Sequence, residues 1–201
     1  MLRLNGSETA ERLPVWRAMT ELFLDTEVRW EIPWVAYCCA GSRFPAEALD
    51  SIFRDEVAPA MLPNLLEVAG SWAMFRDEYI QSEILTCSRP RPDLAGTPLD
   101  TQWATCLDLC ALLRQLPEDR RKARFQVWRH YIRLFLAEPT AGDEESAIRN
   151  LSGFSESDRL GVWQTDLSAT LPRLLRANEK GGIDSIRKVL QRLGEPIPPL
   201  C

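Results

Sequence analysis

Apolar residues recur along most of this 201-residue chain at the three-and-four spacing of amphipathic helices, and no stretch shows the strict alternation of a half-buried strand. The spacing predicts a helix over 7–25, with Ser7 as its cap and Leu13, Trp16, Met19, Leu22 and Phe23 on its apolar side. Pro14 offers an alternative start for it, since proline fits best in a first helical turn. A second helix is predicted over 28–40, around Trp30, Trp34, Val35 and Cys38, and a third over 45–57, around Ala48, Leu49, Ile52, Phe53 and Val57. Ala58-Pro59 should interrupt the third. Pro59, Pro63 and Gly70 make 59–75 read as short turns and extended chain. A further helix is expected over 76–87.

The segment 88–98, SRPRPDLAGTP, is rich in Pro and reads as a break between two bodies. Beyond it the spacing predicts helices over 98–115, 117–137, 155–176 and 182–193, with a loop at 139–143 and Gly194 stopping the last helix. In the helix over 117–137, Phe125, Trp128, Ile132 and Phe135 share one face, and Gln126, Arg129, His130 and Arg133 share the opposite one. The tail EPIPPLC reads as extended. The pattern therefore predicts an all-α fold of two helical subdomains packed together, 1–88 and 99–201, joined by a linker over 89–98. Val15-Trp16-Arg17 and Leu22-Phe23-Leu24 are echoed by Val127-Trp128-Arg129 and Leu134-Phe135-Leu136; a duplicated helical unit or two independent amphipathic helices would each produce this.

Charge divides near the same break. The first 88 residues hold 14 Asp and Glu against 7 Arg and no Lys, and the remainder holds 15 acidic against 17 basic residues. The net charge of −5 argues against a general nucleic-acid binder, which needs a basic face to displace counterions. The acidic first half suits a protein that receives something basic. The first residues carry no apolar run of signal-peptide length and no segment approaches a membrane span, so a cytoplasmic protein with reduced thiols and no membrane partner is expected. Only 3 of the 24 basic residues are Lys.

Catalytic signatures are weak. The sequence has no phosphate-cradling glycine loop and no nucleophile elbow, and one His with unfavourably spaced Cys does not make a zinc site. No cofactor or metal is expected. His130, flanked by Arg129 and Arg133, lacks a local carboxylate to orient it and reads as a surface histidine. Asp143, Glu144 and Glu145 read as charges at a helix N-terminus, with metal-assisted hydrolysis as the competing reading. Trp16, Trp103, Trp128 and Trp163 fall at core spacing. Trp30 and Trp34 lie one turn apart beside Glu27 and Glu31, mixing aromatic surface with negative charge. The residues expected to meet a partner are thus Trp30 and Trp34 as anchors, and Asp25, Glu27, Glu31, Asp55 and Glu56 as steering charges.

The stretches VWRAMTELFLDTEV (15–28) and LDSIFRDEVAPAMLPNLLEVAGSWAMF (49–75) resemble a small bacterial domain family of unknown chemistry, over roughly the first 85 residues. Its recurring letters include VW, an ELF-D-E segment, an EVAPA-like turn and a PNLL-VAG-W segment. Where that family continues after the acidic box, this chain departs and reads WEIPWVAYCCAG. In size and composition the chain also resembles immunity proteins of bacterial type VI secretion toxin pairs, of the TsiT-like kind that inhibit nuclease-type effectors. That resemblance implies a non-enzymatic role: binding a cognate, basic, nuclease-like toxin inside the producing cell and neutralising it. A helical adaptor without a toxin partner and a small metal-dependent hydrolase remain the alternatives.

Overall fold

A computed structural model describes residues 2–66, 74–136, 140–167 and 180–195 of the chain. The fold is all-α, and no strand occurs among the described residues. Two compact units divide it, residues 1–110 and 111–201. Helices α1 (Gly6–Thr20), α2 (Ile32–Gly41), α3 (Ala46–Ser51), α4 (Ala58–Leu66) and α5 (Asp77–Thr86) belong to the first unit. Helices α7 (Glu118–Leu136), α8 (Ala141–Leu151), α9 (Glu156–Gly161) and α10 (Lys180–Arg192) belong to the second, and the division falls within α6 (Pro98–Arg114). Single 3-10 turns occupy Glu21–Phe23 and Arg29–Glu31, and π-helical segments occupy Ile52–Val57 and Val162–Leu167.

Helix α1 begins earlier than Pro14 and is capped by Asn5, not Ser7. The Asn5 Oδ1 accepts from the Glu8 backbone N–H at 2.9 Å while Glu8 Oε2 accepts from the Asn5 N–H at 2.8 Å, closing a capping box. Pro14 sits inside the helix. The third predicted helix does not stop at Ala58-Pro59 either. It runs on from α3 through the π segment into α4, because Ala58 N–H reaches back five residues to the Phe53 carbonyl. That widened turn loosens the ladder next to Pro59, which has no N–H to give. The part of the predicted irregular stretch at 67–73 lies outside the described residues.

The first unit is organised around Phe53. Its ring stacks on Trp103 at 4.2 Å and meets Phe23 at 5.7 Å. Trp16, Met19 and Leu22 of α1 and its following turn, Ile32, Val35 and Ala36 of α2, and Ile80 and Ile84 of α5 are buried in this unit. Each of the larger aliphatic side chains among them contributes about 2 kcal/mol of transfer free energy. Buried polar bonds set the angles of approach. The Trp103 indole N–H donates to Asp50 at 2.8 Å, and the Trp16 indole N–H donates to Glu56 at 2.7 Å.

The expected linker over 89–98 is fastened to the first unit, and the two units divide at Cys110 and Ala111. The reason lies in α4. Pro63 lacks the N–H that would bond the Pro59 carbonyl, and Arg89 supplies the missing donor from outside the helix. Its Nε donates to the Pro59 carbonyl at 2.6 Å and its Nη2 to the Ala60 carbonyl at 2.9 Å. Leu94 is buried, and Gly96 (φ 73°) makes the turn before α6.

In the second unit α7 packs on α8, α9 and α10. Its predicted apolar face is the buried one: Phe125, Trp128, Ile132 and Phe135 are all within the core, with Tyr131. Residues 141–143 of the expected loop at 139–143 are helical, because α8 begins at Ala141. Thr140 caps α8 through a second capping box, its Oγ1 accepting from the Asp143 N–H at 3.3 Å and Asp143 Oδ2 accepting from the Thr140 N–H at 2.9 Å. Ser155 caps α9, its Oγ accepting from the Asp158 N–H at 3.2 Å. The predicted helix over 155–176 continues from α9 into the π segment to Leu167, and 168–176 lies outside the described residues, as does the tail from 196 onward. Gly194 (φ 79°) does end α10. It forms a Schellman turn, with Glu195 N–H on the Leu190 carbonyl and Gly194 N–H on the Gln191 carbonyl. The turn delivers the Glu195 carboxylate to Arg159 Nε at 2.6 Å.

Two further ion pairs on buried carboxylates fix α7 to α9 and its π extension. Arg120 Nε meets Asp158 at 2.9 Å, and Arg124 grips both oxygens of Asp166 at 3.1 and 2.7 Å. Asp166 is 1% exposed, and burial pushes its carboxyl up while Arg124 pulls it down. Gly161 is what admits Arg124: a Cβ at that position would land on the guanidinium. A flexible side-chain end would ordinarily swing aside, but this one is held by a buried carboxylate. Gly161→Ala is therefore expected to destabilise the protein by about 3 kcal/mol, the cost of separating a buried pair, read from urea unfolding followed by Trp fluorescence. In an Asp166→Asn background the same change should cost clearly less, and equal costs in both backgrounds would disprove the coupling.

Candidate interaction surface

The residues expected to meet a partner fall into two groups. Asp25, Glu27, Trp30, Glu31 and Trp34 occupy the link from α1 to α2, built from the two 3-10 turns and the first turn of α2. Asp55 and Glu56 sit on the π segment, a different element.

In the first group the backbone is tied down by one cation. Arg29 is buried and clasps Glu27, with Nε at 2.8 Å and Nη2 at 2.6 Å from its carboxylate, while the Arg29 N–H also donates to Glu27 Oε1 at 3.1 Å. The clasp holds the short loop in one shape and neutralises Glu27. It leaves Trp30, the next residue, facing outward at 42% exposure, an uncommon position for a side chain of that size. Glu31 follows, half-buried, and Asp25 is exposed; neither makes an ion pair among the described residues. Trp34 is half-buried and leans on Tyr37, their rings 6.1 Å apart.

The second group behaves differently. Glu56 is a structural acceptor between α1 and the π segment: its side chain is only 9% exposed, and it binds Trp16 Nε1 and Arg12 Nε at 3.2 Å. Burial pushes its carboxyl up, and the Trp16 and Arg12 donors oppose the rise. It is thus unavailable for steering, contrary to the expectation from sequence. Asp55 is exposed but joined to Arg91 at 3.1 Å. Arg91 also lines a hollow of about 510 Å³, whose other charged lining residues are Arg54 and Asp100, paired at 2.7 Å, and Asp93, whose Oδ1 accepts from the Ala95 N–H at 3.0 Å. That hollow presents little uncompensated charge.

A residue not singled out from sequence joins the first group. Glu21, in the turn after α1, is buried, and burial, with the neighbouring charge of Glu31, pushes its carboxyl up to about 7. Its place in an apolar run, directly before Leu22-Phe23-Leu24, was the available signal. Beside it the Cys38 thiol is pushed up to about 12 by burial. The link around Trp30 therefore carries an exposed indole, two carboxylates without an ion pair among the described residues, and one buried carboxyl pushed up to about 7.

The other acidic run, Asp143 to Glu145, is engaged within the second unit. Asp143 closes the cap of α8, Glu144 lies 3.8 Å from Lys188, and Glu145 lies 2.6 Å from Arg192. Among the described residues no three His, Cys, Asp or Glu side chains are grouped so as to hold a metal ion. The five described cysteines are free. No helix among the described residues is long and apolar enough to cross a membrane.

Residues 10–109 match the model of a family described as a domain of unknown function (DUF7079). The matched stretch lies within the first compact unit and includes the tethered Pro-rich segment and the start of α6. No curated protein and no solved structure matches the chain.

The raised Glu21 carboxyl makes stability fall with rising pH. A folded-state proton held more tightly than in the unfolded chain stabilises the fold fully below the ordinary carboxyl range, and this contribution is lost as pH rises through about 7. Thermal unfolding of Glu21→Gln is expected to lack the decline that the wild type shows between pH 5 and 7; parallel profiles would refute the assignment.

Proposed function

We propose that this protein is a binding protein of the immunity type, which neutralises a basic, nuclease-like bacterial toxin by covering it and makes or breaks no bond itself. The exposure of Trp30 between the unpaired carboxylates of Asp25 and Glu31 carries this reading. An outward indole supplies the desolvated anchor that dominates many interfaces, and the carboxylates raise the encounter rate with a cationic partner. The acidic balance of the first 88 residues, 14 acidic against 7 basic, extends the attraction over a longer range. The resemblance to type VI secretion immunity proteins supplies the class of partner, and such an inhibitor acts in the cytoplasm of the producing cell, where the toxin would strike.

The active set differs from the one read off the sequence. Asp25, Trp30, Glu31 and the half-buried Trp34 remain. Glu27 shapes the loop through Arg29, and Glu56 belongs to the core.

The test is co-expression with the toxin-like product of an adjacent gene, scored by survival, together with association kinetics of the purified pair. Wild type should protect. Asp25→Arg with Glu31→Arg should slow association about tenfold at low salt and flatten its salt dependence. Trp30→Ala should speed dissociation by roughly thirtyfold, as expected for an anchor worth about 2 kcal/mol. Absence of any complex, or unchanged kinetics in both variants, would overturn the reading.

A further inference from the structure

We propose that the groove between α7 and the end of α8 in the second unit is a binding site for a nucleoside monophosphate, with the phosphate between Arg129 and Arg133 and the base against Phe154. The site lies wholly within the second unit and is independent of the Trp30 face.

The groove is a hollow of about 320 Å³ lined by Gln126, Arg129, His130, Arg133, Asn150 and Phe154. That volume is at the small end of the range for small-molecule sites. Four of these residues come from α7 at helical spacing, the polar face opposite its buried stripe, so one rigid helix positions them all. Asn150 and Phe154 close the other wall from α8 and the turn after it.

The charge state of the two arginines singles this groove out. Arginines elsewhere in the protein are largely matched to carboxylates, as at Arg12, Arg17, Arg29, Arg54, Arg120, Arg124 and Arg159. Arg129 and Arg133 line one hollow, are both exposed, and form no ion pair among the described residues. Their Cα atoms are one turn apart, about 6 Å along the helix, which suits two forked donors closing on one phosphate. Arg129 is steadied by lying over the Phe125 ring at 5.6 Å.

The remaining lining fits a base better than a bare anion. His130 and Phe154 present tilted rings 6.4 Å apart, giving an aromatic wall. Burial, followed by the charges of Arg133 and Arg129, lowers the proton affinity of His130. A neutral imidazole offers one donor and one acceptor, and the Gln126 and Asn150 amides offer both as well. A smaller hollow of about 190 Å³ continues from the groove and shares His130, Arg133 and Asn150, but it includes Asp143. The Asp143 carboxyl is held below its usual range by hydrogen bonds from Thr140 and so stays charged. A phosphate is repelled from that end, which places it beside Arg129 and Arg133.

The test is calorimetric titration of the full chain with AMP, GMP, CMP and UMP, with inorganic phosphate and adenosine as separate arms. At least one nucleotide should bind with one-to-one stoichiometry, tenfold or more tightly than either phosphate or adenosine. Arg129→Ala with Arg133→Ala should weaken that binding at least tenfold; both side chains are exposed, so helicity and unfolding midpoint should stay near wild type. Phe154→Ala should reduce the advantage of the nucleotide over phosphate. Failure of all four nucleotides to saturate, equal binding of phosphate and nucleotide, or unchanged affinity in the double arginine variant would each overturn the proposal.

Discussion

Buried carboxylates that must find donors govern how this chain folds. Its helices are marginal by themselves: α9 with its π extension is a short run, and the run from α3 to α4 is interrupted by a π turn and two prolines. Their placement depends on acids that reach across to another element. Asp50 and Glu56, on α3 and its π extension, receive the indole N–H groups of Trp103 and Trp16. Asp158, Asp166 and Glu195 receive Arg120, Arg124 and Arg159. For the buried acids among these, Glu56, Asp158, Asp166 and Glu195, a missing donor costs several kcal/mol, so each pair acts as a register pin: the hydrophobic stripe brings the helices together, and the pins select one arrangement.

That constraint explains the use of arginine at these junctions, in a chain where lysine makes up 3 of 24 basic residues. The cations at these junctions use geometry that an ammonium lacks. Arg124 bonds both oxygens of Asp166 in a fork, Arg29 does the same to Glu27, and Arg54 bridges Asp50 and Asp100. Arg89 spans two successive carbonyls of a proline-interrupted helix. A lysine would supply a single point of charge, more strongly hydrated and costlier to bury.

The sequence made the helical faces legible because periodicity is local. The split of α7 into Phe125, Trp128, Ile132 and Phe135 inside and Gln126, Arg129, His130 and Arg133 outside is present in the structure as read. The outward Trp30 was legible too, from its acidic neighbours. Continuity through Pro59 and Pro63 was hidden, because both the π turn and Arg89 compensate for the prolines, and Arg89 is remote in sequence. The same rescue hid the true place of 89–98, whose composition is that of a linker although its arginine is a brace. The core position of Glu56 was also out of reach: its partners Trp16 and Arg12 lie about forty residues away, and nothing near it marks an exposed acid from a buried one. Thr140 and Asp143 did spell a capping box, but Pro139 and Gly142 outweighed it as turn signals.

Net charge proves a poor guide to what each surface attracts, and the reason is screening. At physiological ionic strength a charge is felt over about 8 Å, so the total of −5 describes solubility more than any one site. What counts locally is which charges lack partners. Of the acids expected to steer a partner, Glu27, Asp55 and Glu56 are compensated by Arg29, Arg91 and Arg12, while Asp25 and Glu31 are not. Around His130 the balance is reversed, with two uncompensated guanidinium groups in one hollow of an acidic protein. Pairing, decided by the tertiary fold, thus leaves residual charges of opposite sign at two places among the described residues, Asp25 with Glu31 and Arg129 with Arg133, that the composition of the chain does not reveal.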